Sequence, residues 1–314
     1  MKEKYYATAP GTLDGRSYRI GDIVMSDREY PWLRPAKQAV GSLDKVTIEM
    51  ERSDGYTQYL FTTIFSRKYC VKPFFENLKV LEMPRDRIHW LILIDSEDTE
   101  MIEDIKSQAR DAGFMMVSFI VTNEAPITDA TMYKERTSRI MQHYRTIIGI
   151  AQNLGAVTLF CIEDDTMAPK DAFARLTGRL SDEVAFVQGV ETHRHGYRRI
   201  GGGWLTVEDG LPVRKFNPGY QEDGLHEINI GGWFCFAANV DAIGEIELGS
   251  IPEYKIGPDE LFVFRLSQAY KCYMDWGVPC DHLHDDGQVF TPEDCREHTF
   301  YYSVEDGKVK TKVC

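Results

Sequence analysis

Three consecutive acids, Glu163, Asp164 and Asp165, directly follow the apolar run 159–162 and are the sharpest chemical feature of the sequence. Carboxylates crowded at the end of a buried strand repel one another and raise one another's pKa values unless a cation compensates their charge. Hard divalent ions such as Mg²⁺ and Mn²⁺ take oxygen ligands and bridge carboxylates to phosphates. The triplet therefore predicts a divalent-metal site. In the competing interpretation the acids cap the helix that follows, but one acid suffices for a cap and Asp171 is better placed to provide it.

The acids belong to a pattern of apolar strands alternating with amphipathic helices from about residue 59 onward. Because the strands are apolar on both faces, the pattern predicts an open α/β domain with a mainly parallel central sheet and helices on both faces. Ligands bind such sheets at the carboxyl ends of the strands. The expected strands are 59–65, 89–94, 115–121 and 157–162, the expected helices are 71–81, 99–112 and about 140–154, and the strand-end residues include Ser66, Arg67, Asp95, Asp98 and the acid triplet.

Three segments follow one another in the order that a known family shows: TTIFSRKYCVKPFFENLKVL at 62–81, ILIDSED at 92–98 and EDD at 163–165. They resemble the opening strand and helix, the second strand and the Asp-x-Asp signature of GT-A-fold glycosyltransferases, especially the inverting family two. Glutamate replaces the first aspartate of that signature. The resemblance covers roughly residues 58–285 and implies a Rossmann-like GT-A fold. It further implies that a nucleoside-diphosphate sugar meets Ser66, Arg67, Asp95, Asp98, Glu163, Asp164 and Asp165, and that Glu163 and Asp165 hold Mn²⁺ or Mg²⁺.

Two later segments extend the resemblance to the acceptor side. GGWFCFAANV at 231–240 resembles the family's glycine-led acceptor strand, where glycines let the backbone approach a ligand closely, and this implies contacts at Gly232 and Trp233. GPDELFVFRL at 257–266 resembles the helix start that carries the family's catalytic base, which implies Asp259. Because Pro258 replaces the glutamate that precedes the base in the family, Glu260 remains an alternative base.

The segment WGVPCDHLH at 276–284 resembles the closing strand that delivers a histidine to the metal in many family members. Imidazole is a suitable further ligand for Mn²⁺. His282 and His284 alternate along an extended chain, so only one of them can point toward the acids. Either could be the ligand, and a purely structural histidine is the competing interpretation.

A basic patch lies in the loop-rich insertion 191–230, where Arg194, Arg198 and Arg199 occur near Trp204 with no acid between residues 192 and 199. Arginine suits phosphate binding. The patch could clamp the donor diphosphate, or contact a phosphate-bearing acceptor such as a nucleic-acid backbone or a lipid diphosphate. Solvated arginines on a loop are the third interpretation.

Together these features predict a metal-dependent inverting glycosyltransferase whose acceptor hydroxyl belongs to a glycan, a lipid-linked sugar or a hydroxylated base in DNA. A catalytically inactive sugar-nucleotide-binding module and a nucleotidyltransferase are the alternatives. A nucleotidyltransferase normally carries a glycine-rich basic loop after its first strand, and SRKY at 66–69 has no glycine. The presence of both the acid triplet and Asp259 argues against an inactive scaffold.

The amino-acid composition limits which classes of protein the chain can belong to. The 314 residues are 43% hydrophobic and 27% charged, as in globular proteins, and 36 basic against 49 acidic side chains give a net charge of -13, which excludes a general polyanion binder. Membrane-spanning segments and a secretory signal are not expected, and seven cysteines without a CxxC pair favour a reducing, cytoplasmic location. The expected division is a small β-rich amino-terminal module (1–55), a catalytic domain (56–290) and a carboxyl-terminal tail (291–314).

Overall fold

The computed structural model of the protein describes residues 58–125, 127, 133–192, 200–208, 211–216, 224–285 and 287–292, and the shorter segments 3–7, 11–13, 16–18, 23–26, 33–35, 47–49, 300–305 and 308–313. The strands are β1 (Glu3–Ala7), β2 (Gly11–Leu13), β3 (Arg16–Tyr18), β4 (Ile23–Ser26), β5 (Leu33–Pro35), β6 (Thr47–Glu49), β7 (Tyr59–Phe65), β8 (Ile88–Ile94), β9 (Met116–Val121), β10 (Thr158–Ile162), β11 (Thr166–Met167), β12 (Val184–Glu191), β13 (Gly203–Glu208), β14 (Leu211–Phe216), β15 (Leu225–Glu227), β16 (Cys235–Asn239), β17 (Lys271–Leu283), β18 (Val289–Phe290), β19 (Phe300–Glu305) and β20 (Lys308–Val313). The helices are α1 (Lys68–Val80), α2 (Thr99–Arg110), α3 (Tyr133–Asn153), α4 (Ala172–Thr177), α5 (Val240–Gly244) and α6 (Pro258–Leu266).

The central sheet has the strand order β11-β17-β12-β16-β10-β7-β8-β9-β6, and β15 and β18 also pair with β17. Strands β10, β7, β8 and β9 are parallel neighbours, and β12 and β17 are also parallel. Between these two groups, β16 runs antiparallel to β10 and β12. The predicted α/β fold is therefore confirmed. Because β16 is reversed, its amino-terminal end lies at the same edge of the sheet as the carboxyl ends of β7, β8 and β10.

The helices end close to the predicted residues, but α1 begins at Lys68 rather than 71 and α3 begins at Tyr133 rather than at about 140. The apolar side chains of α1 that recur at helical spacing are buried, and Asp98 caps α2 by accepting a hydrogen bond from the Met101 backbone N–H at 3.1 Å. Gly113 and Gly155, just past α2 and α3, have φ angles of 79° and 66°, which glycine adopts without strain. The prediction that the Asp171 side chain caps α4 is wrong: Asp171 is the N-cap residue, but its side chain makes no capping hydrogen bond.

Both faces of the sheet are buried, as strands that are apolar on both sides require. On one face, the rings of Phe61 and Trp90 stack with centroids 5.2 Å apart. On the other, Tyr144 of α3 packs on Trp233 with centroids 3.8 Å apart. These contacts fix the strands whose ends carry the predicted site.

The segments at the two ends of the chain form strands. β1, β4 and β5 form a three-stranded sheet and β2 pairs with β3, which agrees with a β-rich amino-terminal region. β6 instead pairs with β9 at the edge of the central sheet. β19 and β20 join β13 and β14 in a four-stranded antiparallel sheet. The predicted domain limits stay a prediction. No helix in the described ranges is long and apolar enough to cross a membrane.

Candidate active site

Asp164, the middle acid of the triplet, ties the end of β10 to the end of β7. Its Oδ2 accepts hydrogen bonds from the backbone N–H groups of Ser66 at 2.8 Å and Arg67 at 3.0 Å, and its Oδ1 contacts the Arg67 guanidinium. Burial raises the pKa of Asp164 to about 6, against the opposing effect of Arg67. Ser66, Arg67 and Asp164, which were predicted to contact the nucleotide, are thus bonded to one another. Asp164 holds the backbone of Ser66 and Arg67 in place.

Asp165 lies between two cationic groups. Its Oδ2 is 2.7 Å from Nη1 of Arg67 and 3.0 Å from Nε2 of His282 on β17. On the other side of the imidazole, Nδ1 of His282 is 2.8 Å from the carbonyl oxygen of Thr192. A carbonyl oxygen only accepts hydrogen bonds, so Nδ1 carries a proton and donates the hydrogen bond. In a neutral imidazole, Nε2 would then face the Asp165 carboxylate with a lone pair, so a positive charge, from a proton or a cation, must lie between the two atoms.

In the metal-free protein a second proton on the ring supplies that charge. Burial lowers the pKa of His282, but the negative charge of Glu191 and the hydrogen bond with Asp165 outweigh burial and raise the pKa to about 9. A divalent cation could replace the proton on Nε2. Two adjacent ligands of an octahedral ion at about 2.1 Å lie about 3 Å apart, close to the observed separation of Asp165 Oδ2 and His282 Nε2.

The donors therefore fit a divalent metal as a pair. Metal-binding histidines typically donate a hydrogen bond from the N–H of their second ring nitrogen to a carbonyl or carboxylate, as His282 does to Thr192. In the part of the chain that the structure describes, no three His, Cys, Asp or Glu side chains are grouped so that they could hold an ion by themselves. Mg²⁺-type sites commonly use one or two protein ligands and complete their coordination with water and substrate phosphates.

The two candidate histidines differ in position. His284 lies beyond the end of β17, where its Nδ1 is 2.6 Å from Oδ1 of Asp285 and its ring packs against Phe290. Of the two, the structure brings His282 to the acids and leaves His284 outside the cleft.

A cleft of about 240 Å³ opens beside the acids. Acidic residues, glycines and aromatic residues make up most of its lining, which consists of Ile140, Glu163, Glu191, Gly201, Gly202, Phe216, Gly231, Gly232, Trp233, Phe234, Pro258, Asp259, Glu260 and His282. Glu163 reaches this lining because its backbone N–H donates to the Phe234 carbonyl at 2.7 Å, next to the paired ends of β10 and β16. Burial and then the charge of Asp165 raise the pKa of Glu163 to about 7.

Glu191 is a site residue that the sequence analysis missed. It ends the buried strand β12, accepts a hydrogen bond from Thr166 Oγ1 at 2.6 Å, and has Oε2 3.4 Å from Nδ1 of His282. Burial raises the pKa of Glu191 to about 8, although the charge of His282 opposes the shift. The rule that selected the strand-end acids, applied to β12, would have identified it.

The two candidate bases have different surroundings. Glu260 accepts hydrogen bonds from Arg214 Nη1 at 2.7 Å and from the Gly257 backbone N–H at 3.3 Å, so it belongs to a buried ion pair and to the N-terminal cap of α6. Both residues line the cleft, but Glu260 is buried whereas Asp259 is partly exposed. Glu260 therefore has a structural task, which leaves Asp259 the better placed of the two for chemistry.

Asp95 and Asp98 also meet protein groups. Asp95 is buried, accepts a hydrogen bond from Thr122 Oγ1 at 2.8 Å, contacts the Arg139 guanidinium, and lies 3.3 Å from His143 Nε2. Asp98 caps α2 and pairs with Lys68. Both have structural partners, and their contacts with a nucleotide stay predictions.

The predicted acceptor residues divide into three groups. Gly232 and Trp233 line the cleft, whereas Trp204 is 37% exposed on β13. Arg194, Arg198 and Arg199 lie outside the described residues.

Comparison with protein-family models and with curated proteins gives no match. Among solved structures, the chain is similar to A197 from STIV, at 12% identity over 74% of this chain and 93% of that one, with a TM-score of 0.38. It is similar to the mannosyltransferase PcManGT from Pyrobaculum calidifontis in complex with GDP-Man and Mn²⁺, at 9% identity over 69% and 53% of the two chains, with a TM-score of 0.42. It is also similar to GalNAc-T7 with UDP, GalNAc and Mn²⁺, at 13% identity over 74% and 45%, with a TM-score of 0.48. The chain thus spans about half the length of the mannosyltransferase and of GalNAc-T7.

Proposed function

We propose that the protein is a glycosyltransferase that moves a sugar from a nucleoside-diphosphate sugar to an acceptor hydroxyl with inversion at the anomeric carbon. One observation carries the proposal. Glu163, His282 and Asp259 of α6 line the same cleft, and His282 is paired with Asp165. Sugar transfer needs both parts, a cationic centre for the leaving diphosphate and a base for the attacking hydroxyl.

On the donor side, Asp165 and His282, with Glu163 beside them, would hold Mn²⁺ or Mg²⁺. When bound, the ion neutralises the charge that develops on the departing diphosphate oxygen, an effect worth several kcal/mol. Arg67 fixes the carboxylates of Asp164 and Asp165, so the ligand geometry is set before the donor arrives. Ser66, Asp95 and Asp98, at the ends of β7 and β8, are assigned to the nucleotide.

On the acceptor side, Asp259 would take the proton from the hydroxyl as its oxygen attacks the anomeric carbon. Such proton transfer typically contributes about 10² to 10⁴ in rate. One direct displacement of the diphosphate by the hydroxyl inverts the anomeric centre. Glu260 is assigned no proton transfer, because Arg214 already holds its carboxylate.

The acceptor is assigned by class only, as a glycan, a lipid-linked sugar or a hydroxylated base in DNA. Gly232, Trp233 and Trp204 are the proposed acceptor contacts, and Arg194, Arg198 and Arg199 the proposed phosphate contacts. A DNA acceptor would bind through several phosphates, so added salt would weaken its binding steeply. Turnover that is insensitive to salt on a neutral saccharide would exclude DNA.

The direct test incubates the protein with a panel of nucleotide sugars and Mn²⁺ and measures slow release of nucleoside diphosphate. Release from at least one donor, abolished in Asp259→Asn without loss of donor binding, supports the proposal. Donor binding without release in the wild-type protein would instead indicate an inactive sugar-nucleotide-binding module. Failure to bind any nucleotide sugar would overturn the proposal.

A further inference from the structure

The buried side chain of Gln188, on β12, links two glycine segments that line the cleft. Its Nε2 donates to the carbonyl oxygen of Gly201 at 2.9 Å, and its Oε1 accepts from the backbone N–H of Gly232 at 2.9 Å. One amide therefore bonds both segments, which are thirty residues apart in the chain. We call Gly201, Gly202, Gly231 and Gly232 the glycine wall.

The wall leaves little room for side chains: the Gln188 amide lies nearest to Gly202 and Gly231, and the Phe234 ring lies nearest to Gly201 and Gly232. A Cβ on Gly202 would lie 2.9 Å from Nε2 of Gln188, and a Cβ on Gly231 would lie 2.2 Å from Oε1. Both distances are shorter than real Cβ contacts. The cleft is therefore bounded here by bare backbone, and the position of that backbone depends on what lies behind it.

Backbone hydrogen bonds also hold the wall. Gly203 and Ile230 exchange them at 2.9 and 3.1 Å and so join the two segments directly at one end, and the Gly201 N–H donates to the Glu191 carbonyl at 2.9 Å. At the other end of the wall, Gln188 joins Gly201 to Gly232, both of which line the cleft.

We propose that Gln188 is a positioning residue that sets the spacing of the glycine wall and so holds the transferred sugar in line with the attacking hydroxyl. The idea that a sugar occupies this part of the cleft rests on the proposed function. The wall lies on the cleft that Glu163 and Asp259 also line, so its displacement would disturb the reacting centre. The nucleoside diphosphate would be bound by other residues of the site, Asp165 and His282, to which Gln188 makes no hydrogen bond, and its affinity would change little.

The first test does not depend on activity. Gln188→Met keeps nearly the same length and volume but makes neither hydrogen bond, so hydrogen–deuterium exchange should become at least tenfold faster in peptides covering 200–204 and 230–234. Ser118→Ala is the matched control, because Ser118 is equally buried and hydrogen-bonded to His89 at 2.8 Å but lies outside the cleft lining. It should leave exchange in both wall peptides unchanged. Unchanged exchange in Gln188→Met would overturn the proposal.

The second test separates positioning from a merely structural effect. With the nucleotide sugar that the wild-type protein hydrolyses, Gln188→Met should lower kcat at least tenfold while the Kd for the matching nucleoside diphosphate changes less than threefold. Ser118→Ala should change neither. If Gln188→Met does not fold, Gln188→Asn, whose amide is one methylene too short to reach both segments, takes its place in both tests. An unchanged kcat in Gln188→Met would overturn the positioning role. A wild-type protein that binds no nucleotide sugar would instead overturn the proposed function, and the exchange experiment alone would then decide whether Gln188 holds the wall.

Discussion

Nε2 of His282 lies 3.0 Å from Oδ2 of Asp165, while Nδ1 of the same ring is committed to the carbonyl of Thr192. Two lone pairs cannot face one another, so a proton or a metal ion must lie between Nε2 and Oδ2. Proton and metal therefore compete for one position, and the first prediction follows from that competition.

Binding of Mn²⁺ should strengthen as the pH rises. His282 has a pKa of about 9 in the metal-free protein, so it is protonated at pH 7 and must lose that proton to bind the ion. Glu163, with a pKa of about 7, shifts the affinity in the same direction. Up to about tenfold in affinity per pH unit is expected between pH 7 and 9. Titration calorimetry with Mn²⁺ and UDP or GDP in two buffers of different ionisation enthalpy would measure the affinity and the released proton. His282→Gln should flatten the dependence, and an affinity that stays constant in the wild-type protein would contradict the competition.

Asp259→Asn should lower the rate of sugar transfer by about 10² to 10⁴, because the amide cannot accept the hydroxyl proton. The Kd for the nucleotide sugar should stay within about twofold of the wild-type value, since the carboxylate lies on the acceptor side. Initial rates and calorimetry on the same preparation check both statements. Transfer at the wild-type rate would remove Asp259 from the mechanism.

Glu260→Leu should act on stability. It removes the carboxylate that pairs with Arg214, whose side chain is 4% exposed, while the guanidinium keeps its hydrogen bonds to the carbonyl oxygens of Tyr254 and Lys255. Breaking such a pair typically costs about 3 to 5 kcal/mol of unfolding free energy. Urea denaturation would measure the loss, and Arg214→Met added to Glu260→Leu should recover part of it. Glu76→Gln, which breaks an exposed pair with Lys79, is the control and should change stability little.

Two glycines at α3 should respond to alanine with opposite signs. Gly149 lies within the helix with nothing near an added Cβ, so Gly149→Ala should stabilise the protein by about 0.5 to 1 kcal/mol. Gly155 has a φ angle of 66°, and Gly155→Ala should destabilise it by about 1 kcal/mol. Thermal and urea denaturation of the pair test the helix boundary. A stabilising Gly155→Ala would contradict the left-handed conformation.

Much of the fold could be predicted because its signals are local. Strands with two apolar faces, such as Ile88–Ile94, indicate a covered parallel sheet, and Gly113 and Gly155 mark helix ends through their own backbone angles. The pairing of β6 with β9 and of β19 with β14 could not be predicted, because each depends on partners distant in the chain.

In the candidate site, too, local features could be predicted and contacts between distant residues could not. Acids after buried strands are visible in sequence, and Glu191 would have been found by applying that rule to β12. Which side chains contact these acids cannot be read from the sequence. The sequence does not reveal that Arg67 pairs with Asp164 and Asp165, that Arg214 holds Glu260, or that Gln188 joins two glycine segments, because each contact is made by tertiary packing.

The most direct measurement is a crystal structure of the protein soaked with Mn²⁺ and the nucleotide sugar that it binds. We expect an ion about 2.1 Å from both Asp165 Oδ2 and His282 Nε2, with diphosphate oxygens completing its coordination. A bound diphosphate with no ion at this pair, and with His282 still hydrogen-bonded to Asp165, would contradict the assignment of these two residues as the cation site.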